Sequence, residues 1–241
     1  MKSIICIPGV WKDRSAIVSG IAVNTSHEYL LAGDILLNIP TGKHFEVEIS
    51  DRDVRMTDSF KVAGLVNRVS DAFLDEIDKH NIVIYLIGEG GTMESAEALA
   101  KAGHAILKAG GIGIKVETAG KAFMKEQWTN LLADEFEASS YKMFVLDSIT
   151  AEDGTVFSCG MHNLGLRDTI VSDESFEQAI GLISIYSYYQ IIDKPVISPN
   201  QTFSQAADAT VYRIIEESNP PYSGHELFDN PFGMWRLRRR E

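Results

Sequence analysis

Apolar residues run without a polar break from 82 to 87 (IVIYLI), with β-branched side chains at 82, 83, 84 and 87. A run of that length predicts a strand covered on both faces. The period then changes. After GEGGT at 88–92, Ala96, Leu99, Ala102, Gly103, Ile106 and Ala109 fall on one side of a 3.6-residue wheel. Glu97, Lys101, His104 and Lys108 fall on the other. The apolar side consists of small residues, which predicts close packing on a sheet. Thr92 suits the N-cap, Glu94 suits the positive end of the helix dipole, and Gly110 suits the C-terminal stop. Glu97 and Lys101 form an i, i+4 pair in the favourable order. A second apolar run at 112–117 completes a β-α-β unit.

The flanking pattern adds further elements. Residues 3–7 predict a buried strand and 13–23 a short helix, with Val23 on its apolar face. Residues 29–37 are apolar but interrupted at Gly33-Asp34, giving a bent strand or two pieces. At 44–49, Phe45, Val47 and Ile49 alternate with His44, Glu46 and Glu48, the signature of a half-exposed antiparallel strand. Residues 57–78 are helical, with Gly64 and Ser70 leaving room for a break. A helix is predicted over 123–138 and a strand over 141–149. Asp153-Gly154 then turns a hairpin into 155–160. From 172–174 to about 192 a long helix carries apolar residues on all sides, which predicts burial or an oligomer interface. Residues 210–215 read as a strand. At the C-terminus, Trp235 and Leu237 alternate with arginines, predicting an edge strand with charged outer residues.

These elements place the chain in the α/β class, more narrowly α+β. The expected architecture is a mixed sheet with a β-α-β core, and a ferredoxin-like arrangement fits the count. The chain reads as a single domain over 1–241, with two related halves meeting near 140 as the alternative division.

Composition narrows the function classes. The 241 residues are 45% hydrophobic and 23% charged, as in ordinary globular proteins. A net charge of −12 argues against nucleic acid as partner and suits a basic protein partner. Two cysteines, Cys6 and Cys159, cannot build a disulfide framework or a zinc ligand set alone. The first apolar run is too short for a signal peptide, and no stretch reaches the roughly 18 apolar residues of a spanning helix. A cytoplasmic protein with no membrane partner is expected. The sequence identifies no cofactor and no metal.

Two segments could carry chemistry. Gly88, Glu89, Gly90, Gly91 and Thr92 lie between a strand and a helix N-terminus, where backbone N–H groups can hold an anion. The segment lacks the dinucleotide and phosphate-loop spacings, and Glu89 places a negative charge where a phosphate would sit. A tight turn with a good cap is the reading favoured over an anion site. Cys159 and His162 stand three apart just past a strand end, compatible with a nucleophile pair or with ligand contact. Ser158 and Cys159 point to opposite faces of their strand and cannot share a site. His104 reads as solvated on the polar side of its helix.

GMHNLGL at 160–166 and NPFGMWRL at 230–237, with the long helix and Pro-rich extension at 183–203, resemble an uncharacterised family of bacterial domains of unknown function. The resemblance covers mainly the second half. It implies a bacterial cytoplasmic origin and no established activity, so no catalytic residue is carried over. Relatives resemble components found near toxin–immunity systems, which implies a binding role. The first functional expectation is therefore a non-enzymatic binding protein acting through a protein partner. The alternative is an enzyme or sensor for a small polar ligand, with Gly88–Thr92, Cys159 and His162 at the strand ends. A homodimer built on the long helix is compatible with both.

Overall fold

The run at 82–87 lies at the middle of a seven-stranded sheet. The computed structural model describes residues 1–240 and is an α+β fold of two sheets. The first sheet holds β1 (Lys2–Gly9), β2 (Tyr29–Ala32), β3 (Ile35–Asn38), β4 (His44–Asp51), β5 (Ile82–Glu89), β6 (Gly113–Val116) and β7 (Lys121–Met124). Its order is β2-β3-β4-β5-β1-β6-β7, and every pairing is antiparallel. The predicted β-α-β unit is present with one change. Strands β5 and β6 point the same way, but β1 lies between them and pairs antiparallel with both. The order β6-β1-β5-β4 is the split β-α-β arrangement of ferredoxin-like sheets.

Pleat alternation explains why these strands read as continuously apolar. Ile5, Ile7, Ile84 and Leu86 face α1 (Arg14–Asn24) and α4 (Met93–Lys108). Cys6 and Val83 face α2 (Met56–Ala63) and α3 (Asp71–Ile77), through Phe60, Phe73 and Ile77. Both faces are therefore covered. The predicted break between 57 and 78 separates α2 from α3. Helix α4 rides close to the sheet because Gly103 has no side chain; a Cβ there would collide with Ile5 Cδ1.

The second sheet holds β8 (Leu146–Thr150), β9 (Val156–Cys159), β10 (Asp168–Val171), β11 (Thr202–Ser204), β12 (Val211–Glu216) and β13 (Met234–Arg239). Its order is β11-β12-β13-β10-β9-β8. It is mixed, with β10 and β13 parallel and the other pairs antiparallel. Two helices, α5 (Lys125–Ala133) and α6 (Phe136–Phe144), join the sheets. Helix α7 (Phe176–Tyr188) packs Leu182, Ile183 and Tyr186 against Val171, Ile214 and Leu237. The 310 turn Met161–Leu164 connects β9 to β10. No described helix is long and apolar enough to cross a membrane.

Several expectations are corrected. Residues 123–138 are not one helix: 121–124 form β7, paired with β6, and two helices follow. Nor is 141 the start of a strand. Tyr141 and Phe144 belong to α6, where Phe144 meets Trp128 and Phe136 edge-on at 6.1 and 6.3 Å. Tertiary burial of this aromatic cluster overrides the local β-propensity of Tyr, Phe and Val. Strand β13 is not an edge strand, since it sits between β12 and β10. Two of its arginines are ion-paired, Arg236 with Glu217 at 2.6 Å and Arg239 with Glu174 at 2.9 Å. Helix α7 is not buried all round: Phe176 and Ile185 are exposed. Val23 is also exposed, off the buried face of Ile17 and Ile21. His104 is half-buried rather than solvated, and burial lowers its pKa.

Candidate functional site

The two glycine-marked segments meet. The Gly91 N–H donates to the Asn163 carbonyl at 3.3 Å, and Gly165 packs onto the Gly91 carbonyl. Between them Asn163 is fully buried. Its Oδ1 accepts from Ser3 at 2.7 Å and Thr118 at 2.8 Å, and its Nδ2 donates to the Gly160 carbonyl at 2.9 Å. The contact is a packed joint between the sheets. The donors an anion would need are already engaged: Gly90 N–H with the Met1 carbonyl, Gly91 N–H with Asn163, and Thr92 N–H with Ser95 Oγ. Thr92 and Ser95 close a capping box on α4. Gly88 is buried against Phe45, while Glu89 is exposed and lines, with Thr92, a pocket of about 470 Å³. Across that pocket Lys43 is held by Glu94 at 2.7 Å.

Cys159 and His162 are both buried. Burial, assisted by the nearby Asp168, pushes the Cys159 thiol well up, so it is neither a ready nucleophile nor a ready metal ligand. Burial lowers His162 to about 4, with Asp229 opposing, so its imidazole is neutral at pH 7. Neither ring nitrogen of His162 has a hydrogen-bond partner among the described residues. No group of three or more His, Cys, Asp or Glu among the described residues could hold a metal ion. Ser158, on the opposite face from Cys159, donates to Asp168 at 2.9 Å. Asp168 also accepts from the Met161 N–H at 3.2 Å and Asn230 Nδ2 at 2.6 Å, clasping the 310 turn to the segment before β13. Burial raises its pKa to about 6 despite those donors.

The strongest chemical feature lies at residues not singled out by their sequence pattern. Where β7 at the end of the first sheet approaches β8 at the end of the second, a pocket of about 490 Å³ opens between α5, α6 and α7. Its walls include Lys121, Phe123, Leu131, Tyr141, Asp147 and Tyr188. Strand β7 places Lys121 and Phe123 on the same face, because they are two apart. Lys121 is only 5% exposed. Its Nζ donates to the Val145 carbonyl at 2.8 Å, at the C-terminus of α6. An ammonium has three donors, and among the described residues no carboxylate stands within ion-pair distance of this one. Lys115 is held quite differently, clamped by Ser59 at 2.6 Å and Glu117 at 2.9 Å.

Burial lowers the Lys121 pKa from 10.5 to about 8; the more distant Asp147 opposes the shift and Lys142 adds to it. Opposite, the Tyr141 hydroxyl donates to Asp147 Oδ2 at 2.6 Å. Burial, then the Asp147 charge and this hydrogen bond, hold the phenol protonated far above its usual range. Tyr188 stacks at a tilt on Tyr141, with ring centroids 4.8 Å apart. The pocket thus combines an amine, a phenol–carboxylate pair and aromatic walls. One signal was available in the sequence: Lys121 is in phase with the apolar Phe123, which sets a charge on the buried side of a strand.

Comparison of the chain with known protein families, with curated proteins and with solved structures gives no match.

Proposed function

We propose that the protein binds a small ligand bearing a carboxylate or carbonyl group in the pocket between β7 and β8, as a sensor or an enzyme. One observation carries this reading: Lys121 is buried in the wall of a cavity, with a single hydrogen bond and no close counter-charge among the described residues. A buried unpaired ammonium destabilises a fold by up to several kcal/mol. A charge kept at that cost, in a cleft with other polar groups, marks a functional position. The ligand's oxygen would accept from the free N–H groups of Lys121, and its apolar part would lie against Phe123, Leu131 and Tyr188. The Tyr141–Asp147 pair would orient a second polar group. This reading moves the ligand from the Gly88–Thr92 and Cys159–His162 segments to the seam between the sheets.

The test is thermal melting of the wild type and Lys121→Met at pH 7, with and without benzoate. Without ligand the variant should melt higher, since it exchanges a desolvated charge for an apolar side chain, a gain of about 1–2 kcal/mol. Benzoate at millimolar concentration should raise the wild-type Tm and leave the variant's unchanged. Equal shifts in both proteins, or none in the wild type, would overturn the reading.

A further inference from the structure

We propose that Lys121 is a nucleophile that forms a reversible imine with an aldehyde or ketone bound in the pocket between β7 and β8. The inference rests on the ligand pocket just described and assigns it a covalent step.

Geometry supplies the components. Lys121 lines the cavity, with its Nζ held by the Val145 carbonyl at 2.8 Å, the Phe123 ring 5.9 Å away and no second hydrogen bond among the described residues. Cavity size suits a single small molecule. Phe123 and Tyr188 offer flat apolar surface for an aromatic or aliphatic body. Tyr141 and Asp147 form a hydrogen-bonded pair on the same pocket, offering polar contacts that can orient the ligand's oxygen.

The step balances without an oxidant or reductant. The neutral amine attacks the carbonyl carbon, forming a C–N bond and a carbinolamine. The C–O bond then breaks, and the former carbonyl oxygen leaves as water with the two protons that the amine nitrogen gives up. The product is a neutral imine, and protonation of its nitrogen makes the carbon beneath it electrophilic. Amine nucleophiles must be deprotonated to attack. Desolvation favours that form of Lys121 near pH 8, whereas surface lysines remain ammonium ions to above pH 10.

Several other groups lack this combination. The His162 imidazole is unpartnered, but it lines no pocket among those described. Lys115 lies in a pocket with Ser59 and Glu117, yet it is already bonded to both.

The experiment is reductive trapping. The full chain is incubated with benzaldehyde and cyanoborohydride between pH 6 and 9, and the site of benzylation is read by peptide mass mapping. Lys121 should be the most heavily labelled lysine at pH 7, at least tenfold over the surface lysines. Its labelling should rise from pH 6 to 8 and level off, while the surface lysines continue to rise. Lys121→Arg, which keeps the cation and a donor for Val145 but cannot form the imine, should lose the preferred label. Benzoate should protect Lys121 in the wild type. Labelling spread over surface lysines with Lys121 unmodified would overturn the imine. If benzoate still raises the wild-type Tm in that case, the ligand pocket stands and only the covalent step fails. If benzoate also has no effect, both fail.

Discussion

At the scale of single residues, Lys121 and Asp168 are buried ionisable groups whose environments oppose ionisation and whose effects on stability run through different pH windows. For Lys121 the folded pKa is depressed below its ordinary value. The folded state then binds fewer protons than the unfolded chain between about pH 8 and 10.5, so stability rises with pH across that window. The advantage of Lys121→Met should accordingly be largest below pH 8 and fade toward pH 10, which urea unfolding at several pH values would measure. Asp168 shows the opposite window. Its folded pKa is raised from 3.8 to about 6, so the ionised form is penalised, and stability is lost as pH rises through that interval. In Asp168→Asn this titration is absent, and the new amide would face the Asn230 amide donor to donor. The variant should be less stable than the wild type throughout, and the gap should be wider at pH 4 than at pH 7 by about 2–3 kcal/mol. A gap independent of pH would contradict the assigned environment.

At the scale of elements, local sequence and structure agree where a cap or a two-sided burial pattern is strong. Helix α4 begins where Thr92 accepts from the Ser95 N–H at 3.0 Å, and it carries its exposed Glu97–Lys101 pair at 2.6 Å. Thr92→Ala should lower stability by about 1 kcal/mol, read as a lower urea midpoint with an unchanged slope. Agreement fails where aromatic residues permit more than one structure. Residues 141–144 have the composition of a strand, but their side chains complete a cluster with Trp128 and Phe136, and that contact needs helical spacing. The alternation in β13 was legible, but its place inside the sheet was not. Arginines appear at an edge or at an interior strand equally, once acidic partners such as Glu217 and Glu174 stand beside them.

At the scale of the whole molecule, the two sheets are joined by a buried polar seam. Asn163 ties the 310 turn of the second sheet's connection to Ser3 on β1 and to Thr118 after β6. Asn163→Ala would leave two buried hydroxyls without their acceptor. A loss of about 2–4 kcal/mol is expected in urea unfolding. Combining it with Ser3→Ala should cost less than the sum of the single changes, because both remove the same hydrogen bond. The Lys121 pocket belongs to the same scale: its walls come from the segment between α2 and α3 and from β7, α5, α6, β8 and α7, spread from residue 66 to residue 188.

The sequence by itself determined the α+β class, the two-sided burial of β5, the capping of α4, the break between α2 and α3 and the hairpin of β8 and β9. Each depends on side-chain period or on turn chemistry within about twenty residues, and such local constraints act before distant contacts form. Only the tertiary structure decided that β1 separates β5 from β6, that β13 is an interior strand, and that Gly91 meets Asn163. It alone brought Lys121 together with Tyr141, Asp147 and Tyr188. Strand partners and pocket walls are chosen by the burial of surfaces far apart in the chain. The cost of burying Lys121 is likewise invisible in its neighbours along the chain, because desolvation depends on what packs around a group in space.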